Sequence, residues 1–301
     1  MSTPSVSVVM PAYNHEKFVG SAIASVLEQS YSDLELIIIN DGSTDTTESV
    51  IKEFDDPRIR YHLQDNQDAY NALNRGMGLA AGEYIAIINS DDVYHSDRIQ
   101  KCVELHQSQG VEFIFTDVTP INDSGESIDN HPWQAWHQNN RNYYFEEMDL
   151  YRGFLHGNFM VTTSNIFMTR ELQCRTGNFS SLRYLHDYDF VFRLLIAAEH
   201  RSVYLQDECL LFYRIHSSNT LSEAAITGRE QDKWVIRNYL MELIPEQHRV
   251  RANTAVDRLV ALEHELIDVR SQLRKQQQSP HPVVPKSFIH RLQNRIKRAL
   301  Q

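Results

Sequence analysis

Two hydrophobic patterns alternate along roughly the first 200 residues: short apolar runs, and segments in which apolar residues recur every three or four positions. The runs are rich in valine and isoleucine, which predicts buried strands at residues 5–10, 34–39, 59–62, 84–88 and 112–116. The periodic segments predict helices at residues 17–29, 44–54, 69–80, 97–109 and 188–198. This alternation predicts an α/β fold whose mostly parallel sheet carries helices on both faces.

Beyond residue 227 charged residues become frequent and the pattern predicts helices. Six apolar residues recur there at alternating spacings of 4 and 3: Ala255, Leu259, Leu262, Leu266, Val269 and Leu273. Such a heptad stripe is typical of a helix that pairs with a second copy of the chain, and it equally suits packing on its own domain. We predict an α/β domain at 1–225, a helical extension at 226–278, and a proline-containing linker with a terminal helix at 279–301.

The terminal segment, residues 286–301, combines basic and apolar positions. It carries two lysines and three arginines with no acidic side chain, while Phe288, Leu292 and Ile296 recur at helical spacing. A helix of this kind suits the surface of an anionic membrane, and it also suits a partner protein. Both interpretations stay open at this point.

Composition narrows the classes of function. The formal net charge of −11 argues against general binding of nucleic acid. No apolar run approaches the roughly 18 residues of a membrane-spanning helix, and the start of the chain lacks the features of a secretion signal. The three cysteines are far apart, as in proteins of a reducing compartment. We expect a cytoplasmic protein, peripheral at the inner face of the membrane if the basic segment binds lipid.

Polar residues follow three predicted strands at the point where each strand ends. They are Pro11-Ala12-Tyr13-Asn14, Asn40-Asp41-Gly42-Ser43 and Asn89-Ser90-Asp91-Asp92. Open α/β sheets bind ligands at the edge formed by the carboxyl ends of their parallel strands. Adjacent carboxylates at Asp91 and Asp92 repel each other and suit a hard cation, Mg²⁺ or Mn²⁺, which in turn holds a diphosphate. An acidic turn that caps the next helix is the alternative.

Five segments together carry a more specific pattern: Val8-Val9-Met10-Pro11-Ala12-Tyr13-Asn14, Ile38-Ile39-Asn40-Asp41-Gly42-Ser43, Ala72-Leu73-Asn74-Arg75-Gly76, Ala81-Gly82-Glu83-Tyr84 and Asn89-Ser90-Asp91-Asp92. In this order they resemble the glycosyltransferases of family 2. The resemblance spans roughly residues 5–220. It implies the GT-A fold, a single nucleotide-diphospho-sugar binding domain, and a metal-dependent transferase that inverts the anomeric carbon of the sugar.

The resemblance also implies roles for individual residues. Those expected to bind a nucleotide-sugar donor, with UDP as its nucleotide, are Pro11, Tyr13, Asp41, Asp68, Arg75, Asn89 and Ser90. Those expected to ligate Mn²⁺ or Mg²⁺ are Asp91, Asp92 and His216. Asn89 stands where the family's Asp-x-Asp motif has its first aspartate, which removes a negative charge.

Asp187 matches the family's catalytic base, in the segment His186-Asp187-Tyr188-Asp189. Inversion requires one carboxylate to take the proton from the acceptor hydroxyl as that hydroxyl attacks. His186 replaces the glutamate that is usual there.

These residues predict transfer of a sugar from the donor to a hydroxyl of a glycan or lipid-linked acceptor, in the synthesis of cell-surface polysaccharide. The alternative is an inactive sugar-nucleotide-binding scaffold that acts through its C-terminal helices, and Asn89 and His186 favour it. A nucleotidyltransferase is disfavoured, because the first predicted strand is not followed by a Gly-rich loop with Arg and Lys.

Residues 131–144 are aromatic and polar with little periodicity, which predicts a loop. The aromatic rings in it are Trp133, Trp136, Tyr143 and Tyr144. Because aromatic faces suit stacking on sugar rings, this loop is either a lid on the acceptor side or a piece of hydrophobic packing.

Overall fold

The computed structural model describes residues 4–216 apart from 130 and 184, and a further set beyond them: 235–241, 246, 247, 249, 250, 252–254, 257, 258 and 261. Contacts divide the chain into two compact units, residues 1–223 and 224–301. The first unit contains the sheet and all of the predicted site residues.

Every strand and helix that the hydrophobic pattern predicts before residue 200 is present in the first unit, and three strands and three α-helices that it does not predict are present among the described residues as well. The strands are β1 (Val6–Ala12), β2 (Leu34–Asp41), β3 (Ile59–Gln64), β4 (Tyr84–Ile87), β5 (Val93–Tyr94), β6 (Phe113–Ile121), β7 (Phe167–Thr169) and β8 (Ser202–Arg214). The α-helices are α1 (Val19–Leu27), α2 (Thr47–Lys52), α3 (Ala69–Leu79), α4 (Arg98–Gln109), α5 (Pro132–Glu147), α6 (Leu150–His156), α7 (Arg170–Thr176) and α8 (His186–Ala198).

The strands form one sheet in the order β3-β2-β1-β4-β7-β6-β8-β5. Parallel pairing joins β1 to β2 and β4, β2 to β3, and β6 to β8. β7 runs antiparallel to β4 and β6, and β5 runs antiparallel to β8. Six of these strands therefore share one direction, which confirms the predicted α/β fold with a mostly parallel sheet.

The centre of the sheet is buried on both faces. Every residue of β2 and of β4 is buried, as expected for strands that helices cover on both sides. Gly82 lets the chain enter β4 against β1, since a Cβ there would lie 2.7 Å from the backbone nitrogen of Ser7. Because β1, β2 and β4 are parallel, their last residues Ala12, Asp41 and Ile87 point toward the same sheet edge.

The aromatic segment predicted as a loop is instead the helix α5, so that prediction is wrong. His131 and Gln134 form a reciprocal capping box at its start, and Pro132 occupies the first helical turn, where its fixed φ is favourable. Arg141 of α5 then pairs with the buried Asp117 of β6 at 2.6 Å. The helix is therefore set by its cap and by this anchor, because its hydrophobic periodicity is weak.

The aromatic rings of α5 divide between packing and exposure. Trp133 stacks on Tyr213 of β8, with ring centroids 5.9 Å apart, and Tyr144 packs on buried aromatic rings. Trp136 and Tyr143 are 43% and 41% exposed, and Tyr143 stacks on His156 of α6 with ring centroids 3.8 Å apart. Packing thus accounts for three of the four rings, and a lid on the acceptor side stays a prediction.

The second unit contains a π-helix at Ile236–Leu240, and Arg237 pairs with Asp257 at 2.7 Å. The six residues of the heptad stripe and the whole of 286–301 lie outside the described residues, so pairing and membrane contact stay predictions. Among the residues that are described, no helix has both the length and the apolar character needed to cross a membrane.

Candidate active site

Loops after β1, β4 and β8 bring two imidazoles and a carboxylate together, and we call His15, Asp91 and His216 the metal group. His216 Nε2 lies 3.0 Å from Asp91 Oδ2, and His15 Nε2 lies 3.9 Å from the same oxygen. One ligand atom from each residue lies within 4.8 Å of the other two. The sequence predicts Asp91 and His216 as metal ligands and assigns no role to His15, which follows a motif without being part of it.

The metal group fits a divalent cation. Asp91 Oδ1 is buried and has no hydrogen-bond partner among the described residues, so it leaves an acceptor to be satisfied. Burial by itself would raise the pKa of Asp91, but the hydrogen bond from His216 and the charges of His15 and His216 hold that pKa below its ordinary value. An ionised carboxylate beside two imidazoles is a donor set that divalent metals accept.

Neighbouring side chains orient both imidazoles. The Oγ of Ser90, which is buried, lies 2.8 Å from His15 Nδ1 and leaves Nε2 directed toward Asp91. The ring of Phe18 lies against His216, with centroids 4.8 Å apart. Ser90 therefore contacts the metal group directly, and its predicted contact with the donor stays a prediction.

Asn89 is held by hydroxyl groups from a distant segment. Its Nδ2 donates to Thr162 Oγ1 at 3.0 Å, and its Oδ1 accepts from Thr163 Oγ1 at 2.9 Å. Its backbone N–H donates to Ser164 Oγ at 2.9 Å. Residues Thr162, Thr163 and Ser164 carry no signal in the sequence, because only the fold brings them to a loop 73 to 75 residues earlier.

Asp92 is likewise bound within the protein. Its Oδ2 accepts from Ser164 Oγ at 2.5 Å, and its Oδ1 accepts from the backbone N–H of Arg214 at 3.0 Å. Burial and the charge of Asp91 raise the pKa of Asp92 above its ordinary value. Both carboxylate oxygens of Asp92 therefore have protein partners, and its role as a metal ligand stays a prediction.

Arg214, at the end of β8, connects that strand to residues 89–92, the acidic loop after β4. Its side chain is buried, with 2% exposure. Its Nε donates to the backbone carbonyl of Asp91 at 2.8 Å, and its Nη1 donates to the carbonyl of Asn122 at 2.6 Å. The guanidinium carbon lies 4.9 Å from the ring centroid of Phe18. These contacts fix the chain two residues before His216 and so help to position that imidazole.

A second polar network surrounds Asp41, which is 3% exposed. Asp41 Oδ1 accepts from Gln64 Nε2 at 2.7 Å and from the backbone N–H of Gln67 at 3.0 Å. Gln64 Oε1 accepts from Arg75 at 3.0 Å, which connects Asp41 to a cation on α3. Asp68 is exposed, has a φ of +69°, and directly precedes α3. The structure thus links Asp41 to Arg75 through Gln64, and Asp68 directly follows Gln67 in the chain.

Pro11 and Tyr13 lie at the end of β1, beside the end of β2. Pro11 is paired in register with Ile39, and Ala12 with Asn40. Tyr13 is 45% exposed, so its ring is open to a ligand. These positions agree with the predicted nucleoside pocket, whose individual contacts stay predictions.

Asp187 lies in the first turn of α8 and is half-buried. Asn158 donates from Nδ2 to Asp187 Oδ2 at 2.8 Å. Burial raises the pKa of Asp187 above its ordinary value, although the charge of His186 and the hydrogen bond from Asn158 oppose this rise. A carboxylate in this environment can accept a proton nearer to neutral pH than an exposed aspartate can.

The segment 158–164 contacts both Asp187 and the loop that holds Asp91. Asn158 donates to Asp187 Oδ2 at 2.8 Å, Thr162 Oγ1 accepts from Asn89, and Ser164 Oγ donates to Asp92. Burial raises the pKa of Tyr213, and the charges of Asp92, Asp91 and Asp187 raise it further.

Comparison with known proteins shows which family the chain belongs to. The model of "Glycosyl transferase family 2" matches residues 7–172, more than half of the chain. The chain belongs to glycosyltransferase family 2. A relative from Rickettsia typhi, named as an uncharacterized glycosyltransferase, is 30% identical over 252 residues, which cover 81% of this chain and 74% of the relative.

Two further proteins resemble this family 2 glycosyltransferase. WfgD of Escherichia coli, named as a UDP-Glc:α-D-GlcNAc-diphosphoundecaprenol β-1,3-glucosyltransferase, is 31% identical over 120 residues, 40% of this chain and 47% of the relative. The crystal structure of glucosyl-3-phosphoglycerate synthase from Mycobacterium tuberculosis, with Mn²⁺, UDP and glucosyl-3-phosphoglycerate, has a TM-score of 0.56 at 18% identity and 81% coverage of each chain. This likeness confirms the predicted GT-A fold.

The family match ends at residue 172, before α8 and β8. It includes the loops that hold His15, Asp41 and Asp91, but neither Asp187 nor His216. The roles of the last two residues in this family 2 glycosyltransferase therefore rest on the geometry given above.

Proposed function

We propose that the protein transfers a sugar from a UDP-sugar to a hydroxyl of a glycan or lipid-linked acceptor, with inversion at the anomeric carbon. The observation that carries the proposal is that one short segment holds both Asp187 and the loop of Asp91: Asn158 donates to Asp187, while Thr162 and Ser164 hold Asn89 and Asp92 beside Asp91. A proton acceptor and a cation site held by the same segment are what an inverting displacement needs.

The donor would bind along the edge where β1 and β2 end. Asp41 would accept the ring N–H of uracil, since its carboxylate is already oriented by Gln64 and Gln67. Arg75 would lie near the acidic edge or the diphosphate, and the exposed ring of Tyr13 would stack on the base. The mycobacterial structure with bound UDP supports this choice of nucleotide.

Asp91 and His216 would hold the divalent cation against the diphosphate. A bound cation neutralises the charge that develops on the leaving nucleoside diphosphate. Mn²⁺ in the mycobacterial structure supports a metal in this family fold, and the unpartnered Asp91 Oδ1 supports it in this chain.

Asp187 would act as the general base. Its ionised carboxylate takes the proton from the acceptor hydroxyl while the hydroxyl oxygen forms a bond to the anomeric carbon and the bond from that carbon to the diphosphate breaks. The attack comes from the face opposite the leaving group, so the configuration inverts. Asn158 holds one carboxylate oxygen, Oδ2, through its side-chain amide.

The acceptor class is proposed from a relative. The Escherichia coli relative is named for a diphosphoundecaprenol-linked sugar as acceptor, which supports a lipid-linked glycan and a role in making surface polysaccharide. The basic segment 286–301 is consistent with work at a membrane surface, where such acceptors reside.

The test is a panel of UDP-, GDP- and dTDP-sugars with Mn²⁺ or Mg²⁺, scored by calorimetry for binding and by release of nucleotide for slow donor hydrolysis. Binding of a UDP-sugar that depends on metal is the expected result. Absence of binding to every member would overturn the proposal, whereas binding without any donor hydrolysis would favour the sugar-nucleotide-binding scaffold.

Substitution of the base gives a second, independent test. Asp187→Asn is expected to lower the rate of transfer by about 10²–10⁴-fold, because it removes the proton acceptor, and to leave donor affinity unchanged. Asp55→Asn, at an exposed aspartate outside the site, serves as the matched control. Equal loss of transfer and donor binding in Asp187→Asn would mean that Asp187 is not the base.

A further inference from the structure

Residues 89–92, the acidic loop after β4, offer a metal fewer oxygen ligands than their sequence suggests. Asn89 is occupied on both polar atoms of its side chain, and Asp92 on both carboxylate oxygens. Asp91 is the residue whose carboxylate keeps a buried oxygen without a partner among the described residues. A cation bound here therefore draws one carboxylate from this loop and needs its other protein ligands from elsewhere.

His15 lies where such a ligand is needed. Its Nε2 is 3.9 Å from Asp91 Oδ2, and its ring meets the ring of His216 edge to face, with centroids 5.7 Å apart. Ser90 Oγ is 2.8 Å from Nδ1, and with Nδ1 donating there, Nε2 keeps its lone pair for a cation.

We infer that His15 is a metal ligand of this centre, and that the centre selects Mn²⁺ or Co²⁺ over Mg²⁺. This inference rests on the proposed function, because the cation is the one that would hold the donor diphosphate. Binding of the cation can nevertheless be measured without any donor, so the experiment can overturn this inference without overturning the proposed function, and the reverse.

The selectivity follows from the kinds of donor atom. Mg²⁺ prefers an octahedral set of oxygens and gives up its waters reluctantly, so two imidazoles are poor ligands for it. First-row transition metals accept imidazole nitrogen readily, and affinity for a given nitrogen and oxygen site rises from Mn²⁺ to Co²⁺. With two imidazole nitrogens and one carboxylate, this centre suits a first-row transition metal better than Mg²⁺.

The test titrates the full-length protein, freed of metal with a chelator, in the absence of nucleotide. Bound Mn²⁺ is measured by electron paramagnetic resonance, and bound Co²⁺ by its visible absorption. We expect both ions to bind and Mg²⁺ at about a 100-fold excess to displace little Mn²⁺. Displacement of Mn²⁺ by an equal concentration of Mg²⁺ would overturn the selectivity.

Substitutions then test the ligand itself. His15→Asn is expected to weaken Mn²⁺ and Co²⁺ binding by at least about tenfold and to change the Co²⁺ absorption band. His200→Asn, at an exposed histidine in the turn before β8, is the matched control and should leave both unchanged. Wild-type affinity and an unaltered Co²⁺ band in His15→Asn would exclude His15 as a ligand.

A second variant at the same position shows whether a loss of metal binding in His15→Asn comes from the lost ligand or from misfolding. His15→Asp replaces the nitrogen with an oxygen, so metal binding should persist while Mg²⁺ becomes an effective competitor. Unchanged discrimination against Mg²⁺ in His15→Asp would also exclude the inference. A protein that shows the expected metal behaviour but binds no nucleotide-sugar would leave the inference standing and overturn the proposed function.

Discussion

Asn158 shows how one hydrogen bond can tune the carboxylate that we propose as the base. Its Nδ2 donates to Asp187, which stabilises the ionised form, while burial destabilises that form. In Asn158→Leu the opposing contribution is lost, so the pKa of Asp187 rises further. Because the base works ionised, the acid limb of the pH dependence of kcat/KM should move to higher pH by about one unit.

The pH profile distinguishes tuning of the base from simple loss of folded protein, since unfolding would lower the rate without moving the limb. Asn139→Leu, at an exposed position of α5, is the control. An acid limb at the wild-type pH in Asn158→Leu would mean that this contact does not act on the base.

At the residue scale, the sequence yields the groups that lie inside motifs and misses the groups that support them. Asp41, Asp91 and Asp187 follow strands or begin a helix in recognisable patterns. His15 and Asn158 do not, because their contacts with Ser90 and Asp187 join residues 75 and 29 positions apart. No local pattern records which distant side chain will complete a hydrogen bond.

Helix α3 offers a matched pair of glycines with opposite surroundings. A Cβ at Gly76 would lie 2.3 Å from Val9 Cγ1 of the buried strand β1, whereas a Cβ at Gly78 would meet nothing within 4 Å. Gly76→Ala should therefore lower the free energy of unfolding by about 1–3 kcal/mol. Gly78→Ala should raise it by up to about 1 kcal/mol, because alanine favours the helix.

Urea unfolding of the two variants checks this prediction on one helix and with one chemical change. Gly76→Ala with wild-type stability would mean that α3 can move off β1 at no cost. Destabilisation by Gly78→Ala would contradict the open space that the structure shows around a Cβ at this position.

At the element scale, the strength of the hydrophobic pattern decides what can be predicted. β1, β2 and β4 are predominantly apolar runs, and their predicted ends lie within one or two residues of the observed ends. β5 and β7, of two and three residues, are too short to leave a pattern and are defined by pairing with β8, β4 and β6. α5 is missed because its periodicity is weak, although Pro132 and Gln134 after His131 are a helix-start signal.

The uneven charge of the whole molecule gives a prediction for the basic segment. The chain is acidic overall, at −11, so an anionic vesicle should repel most of it and attract residues 286–301. We expect the full-length protein to sediment with vesicles rich in anionic lipid and a variant lacking 286–301 to stay in the supernatant. Added salt should weaken the binding, because it screens the attraction.

Neutral phosphatidylcholine vesicles provide the control for nonspecific sedimentation. Equal binding of both proteins to anionic vesicles would contradict a membrane role and would favour a partner protein for this helix.

The position of β8 has a consequence for the order in which the protein is made. β5 pairs with β8, and β8 is the last strand among the described residues, so that part of the sheet cannot form until the ribosome has released it. A nascent chain that ends before residue 202 contains the Asp41 network but neither Arg214 nor His216. Since domains fold as units while they emerge, and His216 is among the last residues of this unit to emerge, affinity for a cation should be acquired only at the end of its translation.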